Sequence, residues 1–197
     1  MSVLLLLAAG LCGGDASVRG GPAAVDLPPS VRDIDGHEHA LAGEADSRPA
    51  VFVFVKTACP IANYYQPTLR RLANTWGEDV RLFVVHTESR VTAAKARDHR
   101  DEFDVPGVVL LDPAGNLIER LDARVTPEAF VVDAEDRLRY RGRIDDTYLG
   151  FGRRRQVVGS HDLDNAVTAV LEGRRVPVPQ ADPVGCRIRR RADAAAL

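Results

Sequence analysis

Six consecutive small, β-branched and aromatic residues, AVFVFV at 50–55, limit the folds open to this chain. The run is short and has no polar alternation, so it predicts a strand buried on both faces. Apolar runs at 80–86 and 107–112 predict two more strands, and helical patterns at 61–74 and 92–103 separate the three. Strands that alternate with helices in this way favour an α/β fold with parallel crossovers.

The flanking segments predict that the central sheet is mixed. Asp-Gly at 35–36, between two short runs, predicts an N-terminal hairpin. A fourth strand begins near Ala129 and an alternating fifth strand spans 137–144. No helix separates these two, so we expect them to be antiparallel. A last helix is expected at 162–173, and a kink at Pro67 in the helix that follows the first buried strand.

The length of 197 residues suits one domain with terminal extensions. The opening MSVLLLLAAGLC is too short to span a bilayer and predicts an export signal; a disordered hydrophobic N-terminus is the alternative. We expect a signal segment and flexible linker at 1–25, one α/β domain at 26–175, and a Pro-rich, basic tail at 176–197. Export would place the protein in the bacterial cell envelope, either in the periplasm or attached to the membrane by its N-terminus.

Charge and the placement of aromatic residues argue against nucleic acid as a partner. Apolar residues make up 45% and charged residues 27% of a chain with net charge -2, a soluble globular balance. Basic clusters occur at 153–155 and 187–191. Neither is interleaved with stacking aromatic residues, so we do not expect nucleic acid binding.

The cysteines narrow the chemistry further. The three cysteines are Cys12, Cys59 and Cys186, and no C-x-x-C occurs. The chain therefore has no paired zinc knuckle, no dithiol motif of the usual spacing and no c-type haem attachment site. The histidines show no ligand spacing, so we expect neither a metal nor a cofactor.

Cys59 lies where the first buried strand passes into a helix. The unpaired N–H groups and the dipole of a helix start favour negative charge, so a thiol there has a lowered pKa. Pro60 suits the first helical turn because its missing N–H would have had no partner. We expect Thr57 and the first helical amides to stabilise a Cys59 thiolate. The alternative is a buried structural cysteine without reactivity.

Three stretches resemble the thioredoxin-like superfamily, in particular its exported redoxin branch of peroxiredoxin-like and cytochrome-maturation-like proteins. They are VFVFVKTACP, VTPEAFVVD and DRLRYRGRIDD, and the resemblance covers 26–175. CPIANYYQP is similar to a CPIA variant of redoxin-domain proteins, and VGCRI to a Gly-Cys ending in the same group. The resemblance implies a thioredoxin-like fold, with a mixed central sheet flanked by helices and an N-terminal hairpin extension.

The resemblance also implies roles for individual residues. Cys59 takes the place of the first active-site cysteine, and a cis-proline preceded by threonine maps to Pro127 and Thr126. Pro127 is then counted with Cys59 and Thr57 as catalytic. Thr126, together with Pro60 and Asn63, is expected to line the substrate groove.

The chain departs from its relatives at the resolving position. Ala62 stands where thioredoxins have their second cysteine, and Thr57 precedes Cys59 by two residues where peroxiredoxins have a threonine three residues before. Copper-delivering relatives use Cys-x-x-x-Cys, but here the second position is Asn63. Cys186 is the candidate resolving cysteine, since an extended tail has the reach. A free thiol, a static disulfide and an intermolecular bridge are the alternatives.

These features predict a thiol-based antioxidant oxidoreductase, either a thiol–disulfide oxidoreductase or a peroxiredoxin-like peroxidase. The Cys59 thiolate would attack a protein disulfide, a small-molecule disulfide or a peroxide, and Cys186 or an external thiol reductant would complete the cycle. The alternative is a redox-silent binding module on the same fold that captures a partner protein or a metal. An accessible Cys59 with a lowered pKa favours the enzyme, and a buried inert one favours the module.

Overall fold

A computed structural model describes residues 23–41 and 46–190. The five α-helices in these residues are Pro60–Tyr64 (α1), Gln66–Trp76 (α2), Ala93–Phe103 (α3), Asn116–Leu121 (α4) and Asp162–Leu171 (α5). Its strands are Ser30–Arg32 (β1), Glu38–Ala40 (β2), Ala50–Val55 (β3), Arg81–His86 (β4), Val108–Leu111 (β5), Val125–Thr126 (β6), Glu128–Val132 (β7), Leu138–Gly142 (β8), Tyr148–Gly150 (β9), Arg153–Arg154 (β10), Gln180–Ala181 (β11) and Cys186–Arg187 (β12).

The central sheet has six strands in the order β11-β8-β7-β3-β4-β5. β3, β4 and β5 are parallel, whereas β7 is antiparallel to β3 and β8 is antiparallel to β7. The expected mixed sheet with an antiparallel final pair is therefore confirmed. The hairpin expected around residues 35–36 is β1–β2, which forms a separate two-stranded sheet.

Strand β3 is the centre of the molecule, and all six of its residues are buried. Its side chains alternate between two hydrophobic clusters, because successive residues of a strand point to opposite faces. Val51, Val53 and Val55 join the cluster that contains α1, α2 and α5, while Phe52 and Phe54 join the cluster beneath α4. Helices cover both faces, as an uninterrupted apolar strand requires.

The helix after β3 is broken at Tyr65, two residues before the kink that the sequence predicts at Pro67. Pro67 has no N–H to offer the carbonyl of Asn63, which a continuous helix would require. The chain therefore leaves α1 at Tyr65 and begins α2 with Pro67 in its first turn. The short α1 carries Cys59 at its N-cap and ends in two tyrosines, Tyr64 and Tyr65.

Both ends of the described chain extend the expected domain. Residues 1–22, including the expected signal segment and Cys12, lie outside the described residues, as do 191–197. Ala23 and Val25, which fall within the expected linker, hydrogen-bond to the start of β8 and to the turn before it. Leu138 N–H donates to Ala23 O at 2.9 Å, and Val25 N–H donates to Asp136 O at 2.8 Å. Residues 176–190, here called the strap, fall within the expected Pro-rich tail; they contain the short strands β11 and β12 and bury Ile188 in the core.

Candidate active site

Cys59 is the N-cap residue of α1 and follows the end of β3 by four residues. Its N–H bonds to the carbonyl of Lys56 at 3.1 Å and its own carbonyl accepts from Asn63 N–H at 3.0 Å. Pro60 occupies the first helical turn and is exposed. Cys59 itself is only 1% exposed, so the thiol lies beneath the surface at the junction that the sequence indicated.

The strap brings Cys186 to this thiol. β12 pairs with β6, so that Cys186 lies opposite Thr126, and the next peptide bond, Thr126–Pro127, is cis as the resemblance implies. The Sγ atom of Cys59 is 3.0 Å from Sγ of Cys186 and 3.0 Å from the carbonyl oxygen of Thr126. Both cysteines are free thiols, and Cys186 is the partly exposed one. Two residues separated by 127 positions thus form one sulfur pair.

A glycine permits this close pairing. A Cβ atom on Gly185 would lie 2.2 Å from the carbonyl oxygen of Thr126, far inside any real contact. At the other end of the strap, a Cβ on Gly142 would lie 1.9 Å from the carbonyl oxygen of Ala181, where β11 pairs with β8. The strap can lie against the domain only because neither position carries a side chain.

Three further contacts hold the strap after Cys186. The Nζ of Lys56 donates to the carbonyl of Arg187, which ties the strap to the turn that carries Cys59. Ile188 is 1% exposed and packs in the cluster beneath α4. The guanidinium of Arg190 donates to Asp122 at 2.5 Å. Cys186 is therefore held at a packed position.

The environment makes the two thiols chemically unequal. Burial raises the pKa of Cys59, but the hydrogen bonds with Cys186, the Thr126 side chain and the Ala62 N–H together lower it by a larger amount. The pKa of Cys59 therefore lies below the ordinary thiol value. Burial and the neighbouring Cys59 sulfur raise the pKa of Cys186 to about 11. Cys59 is therefore the more acidic thiol of the pair.

Thr57 has a different partner from the one expected. Its hydroxyl donates to Oε1 of Glu88 at 2.9 Å, and its backbone N–H donates to the same oxygen at 2.7 Å. A hydroxyl carries a single proton, so in this arrangement Thr57 does not donate to the Cys59 sulfur. Through these two hydrogen bonds, Glu88 fixes the loop between β3 and α1.

Asn63 points inward to a buried polar group rather than to an open groove. Its Nδ2 donates to the carbonyl of Thr57 at 3.0 Å, and its Oδ1 lies 3.0 Å from Nε2 of His99. His99 packs edge-on against His86 with ring centroids 5.0 Å apart, and His86 Nδ1 is 3.5 Å from Oε2 of Glu88. Thr57 is thus held from two sides, by Glu88 and by Asn63. These contacts were not evident in the sequence, because Glu88 follows β4 and the histidines behind the two residues lie on β4 and α3.

An aromatic cluster lies on the other side of Cys59. The rings of Tyr64, Tyr65 and Tyr148 meet pairwise at 5.5 to 5.8 Å, and Tyr148 packs against the cluster of buried residues that includes Cys59. The hydroxyl of Tyr65 donates to Asp145 at 2.7 Å. Tyr148 begins the hairpin of residues 148–154, formed by β9 and β10, which the sequence did not indicate.

A cavity of about 650 Å³ borders the site on the side of the strap. It is lined by residues that include Lys56, Glu88, Arg90 and Arg189, but neither cysteine lines it. Within residues 23–41 and 46–190, no three His, Cys, Asp or Glu side chains are grouped so that they could hold a metal ion.

Comparison with known proteins places the fold and the family. The AhpC/TSA family profile matches residues 23–141, which is more than half of the chain, so the protein belongs to the AhpC/TSA family. No curated protein matches the sequence. The redoxin domain and the thioredoxin-like fold inferred from the sequence are confirmed.

Three solved structures illustrate the fold. An uncharacterised conserved protein from Geobacillus kaustophilus is 24% identical, with a TM-score of 0.75 over 87% of this chain and 93% of its own. A hypothetical protein from Sinorhizobium meliloti is 25% identical, with a TM-score of 0.73 over 85% and 93%. A secreted Mycobacterium tuberculosis disulfide oxidoreductase homologous to E. coli DsbE is 18% identical, with a TM-score of 0.53 over 71% and 94%. These neighbours show the fold, and the AhpC/TSA family supports a redox-type function.

The described residues contain no helix with the length and apolar character needed to cross a membrane.

Proposed function

We propose that the protein is a thiol–disulfide oxidoreductase whose reactive pair is Cys59 and Cys186. The observation that carries this is the 3.0 Å separation of the two sulfurs, produced by the pairing of the strap with β6. Cys59 is the more acidic thiol, and Cys186 is the second cysteine of the pair, which position 62 lacks. Pro127, Thr126 and Gly185 shape the backbone around the pair, and Asn63 positions Thr57.

The two sulfurs form and open one disulfide. When a substrate disulfide R–S–S–R oxidises the protein, one protein thiolate displaces R–S⁻, the second protein thiolate displaces the other R–S⁻, and the Cys59–Cys186 bond forms. Reduction reverses these steps: an external thiolate attacks one sulfur of the pair, the other leaves as thiolate, and a second external thiol releases the mixed disulfide.

Reduction should begin at Cys186. Cys59 is buried, whereas Cys186 is partly exposed, so an incoming thiolate meets Cys186 first. The sulfur of lower pKa is also the better leaving group, and that sulfur is Cys59. Both considerations place the mixed disulfide on Cys186 and release Cys59.

A disulfide substrate fits this site better than a peroxide. Reaction with a peroxide would convert Cys59 to a sulfenic acid, which Cys186 would condense to the same disulfide with loss of water. The hydroxyl of Thr57 already donates to Glu88 and so does not face a peroxide oxygen at Cys59. For this reason we assign disulfides as the substrates and a thiol as the reductant.

The test is to treat the reduced full-length protein with hydroxyethyl disulfide or with hydrogen peroxide, quench in acid and map the peptides. Trypsin separates the cysteines into residues 1–19, 57–70 and 176–187. We expect a cross-linked pair of the last two peptides, formed faster with the disulfide than with the peroxide, and absent in Cys59→Ser and in Cys186→Ser. A Cys59 that neither oxidant modifies, and that alkylates only after unfolding, would instead favour the redox-silent binding module.

We also propose that the protein is exported to the cell envelope. The apolar opening of the chain and the secreted Mycobacterium tuberculosis neighbour support this. The mass of the protein recovered from an envelope fraction should correspond to a chain shortened at its N-terminus. Recovery of the full-length chain from the cytoplasm would contradict export.

A further inference from the structure

The hairpin of residues 148–154 stands beside the reactive pair and exposes apolar side chains. Phe151 at its tip is 70% exposed, Leu149 is 47% exposed, and Tyr64, which packs against Tyr148 of the hairpin, is 46% exposed. Large apolar side chains gathered on one surface next to a functional site mark a contact with another molecule.

The base of this hairpin is firmly anchored. Asp145 accepts from the hydroxyl of Tyr65 and from the N–H of Thr147, both within 2.9 Å. Asp146 accepts from the N–H groups of Gly159 and Ser160 at 2.8 and 3.1 Å. These contacts tie both arms to the domain, so the exposed tip is a positioned feature of the fold.

The hairpin is also positively charged. Arg153 and Arg154 are exposed and, within the described residues, neither forms an ion pair, whereas Arg155 is paired with Asp146 at 3.1 Å. The guanidinium of Arg154 lies 4.9 Å above the ring of Tyr64 and 6.0 Å from that of Tyr148. The aromatic rings hold this cation at the surface with its charge unneutralised.

The same surface adjoins Cys59. Tyr148 packs against the cluster that contains Cys59, and the thiolate charge of Cys59 is one of the causes that raise the pKa of Tyr148, after burial and alongside other neighbours. Tyr64 lies on α1, whose first residue follows Cys59. A chain bound against Tyr64 and Tyr148 would therefore lie next to Cys59.

We infer that the surface formed by Tyr64, Leu149, Phe151, Arg153 and Arg154 is the docking site for a cysteine-containing polypeptide segment with acidic and apolar residues next to its cysteine. This inference rests on the proposed function, because it names the substrate class of the same site. The two unpaired arginines select carboxylates by charge, and Phe151, Leu149 and Tyr64 accept an apolar side chain. A small neutral thiol uses none of these contacts.

The test compares two eight-residue peptides, each with one cysteine. In the acidic peptide the cysteine is flanked by leucine and aspartate, and in the basic peptide it is flanked by leucine and lysine. The oxidised full-length protein is mixed with each peptide, and the opening of the Cys59–Cys186 disulfide is followed by acid quench and mass analysis. Each rate is divided by the rate with 2-mercaptoethanol, which corrects for any change in the pair itself. Each peptide is compared only with itself across variants, because flanking charges change its own thiol pKa.

We expect the double variant Arg153→Gln/Arg154→Gln to slow the acidic peptide by about three- to tenfold, as two exposed charge contacts allow, and to leave the basic peptide equal or faster. The difference should shrink at 1 M salt, where screening acts within about 3 Å. Phe151→Ser should slow both leucine-containing peptides. Arg71→Gln is the matched control, since Arg71 is an exposed arginine on α2, and it should leave the ratios unchanged.

A second measurement separates this inference from the proposed function. The acidic peptide with serine in place of cysteine, labelled with a fluorophore, should bind with an anisotropy change that the double variant weakens by a similar factor. If the double variant weakens peptide binding while Cys59 and Cys186 do not react, the docking site is supported and the oxidoreductase assignment is wrong. If the disulfide opens normally but the acidic and basic peptides respond alike to the double variant, the docking site is wrong. A homodimer that Phe151→Ser dissociates would also overturn it, by assigning the surface to a second copy of this chain.

Discussion

Replacing Gly185 with alanine should separate the two thiols without touching either of them. The added Cβ would lie 2.2 Å from the carbonyl oxygen of Thr126 and 2.6 Å from its carbonyl carbon. Both are backbone atoms of the strand that leads into the cis-proline, so no side chain can rotate away. The strap must therefore move.

The size of the movement follows from these distances. Ordinary contact begins at 3.4 Å, so the strap must shift by about 1.2 Å at Gly185. Cys186 is the next residue, and a shift of that size would lengthen the 3.0 Å gap between the sulfurs to about 4 Å. A misplacement of about 1 Å in a reacting pair costs up to about 100-fold in rate. We expect disulfide closure to slow by about 10- to 100-fold, which corresponds to about 1.4 to 2.7 kcal/mol in the activation free energy.

The assay is the rate at which the reduced protein forms the Cys59–Cys186 disulfide with excess hydroxyethyl disulfide, followed by acid quench and mass analysis. Gly150→Ala is the matched control, because a Cβ on Gly150 meets nothing within 4 Å. Thermal unfolding of both variants checks that each is folded. Gly142→Ala, which displaces the strap at its other end, is the second variant. Closure at the wild-type rate in folded Gly185→Ala would refute the argument that strap position sets the reactivity of the pair.

Two further predictions concern stability. Burial lowers the pKa of His99 from its ordinary value of 6.5 to about 4, and the charge of His86 is a second cause. As pH falls, the unfolded chain therefore takes up a proton at His99 before the native state does. The free energy of unfolding should fall by about 2 kcal/mol between pH 7 and pH 5. Urea unfolding at the two pH values should show a smaller loss in His99→Gln, and an equal loss would contradict this account. Ile188→Ala should lower the free energy of unfolding by about 2–5 kcal/mol because it empties a fully buried site. Val178→Ala on the same strap, at a side chain 50% exposed, should stay within about 0.5 kcal/mol, and similar losses in the two variants would show that the strap is not packed as described.

Local patterns predicted the framework of the fold because each element carries its own signal. The six apolar residues of β3 can only be a buried strand, and the helix at 93–103 follows from its spacing and its Thr92 cap, whose side chain accepts from Lys95 N–H. The cysteine at the end of β3 and the Thr-Pro pair before β7 were visible for the same reason. Because the cysteine follows β3 and the Thr-Pro pair precedes β7, both lie at the same edge of the sheet once β3 and β7 have paired.

Contacts between distant segments were not predictable in this way. Glu88 reaches Thr57 across 31 positions, and nothing in its neighbourhood in the sequence marks it as a partner of the loop. The hairpin at 148–154 has two very short strands, too short for an alternating pattern to be recognised. Asp145 is bonded by Tyr65, which lies 80 positions away between α1 and α2.

The sequence by itself determined that this chain forms a mixed α/β sheet with a cysteine at a helix start, since strand burial, helix periodicity and residue type are properties of short segments. Only the tertiary structure decided which thiol stands opposite Cys59. Cys186 lies 127 positions away, and its approach depends on the absence of side chains at Gly142 and Gly185 and on the burial of Ile188. Both depend on how the strap packs against the domain. Packing between distant segments is set in three dimensions and produces no periodic pattern along the sequence.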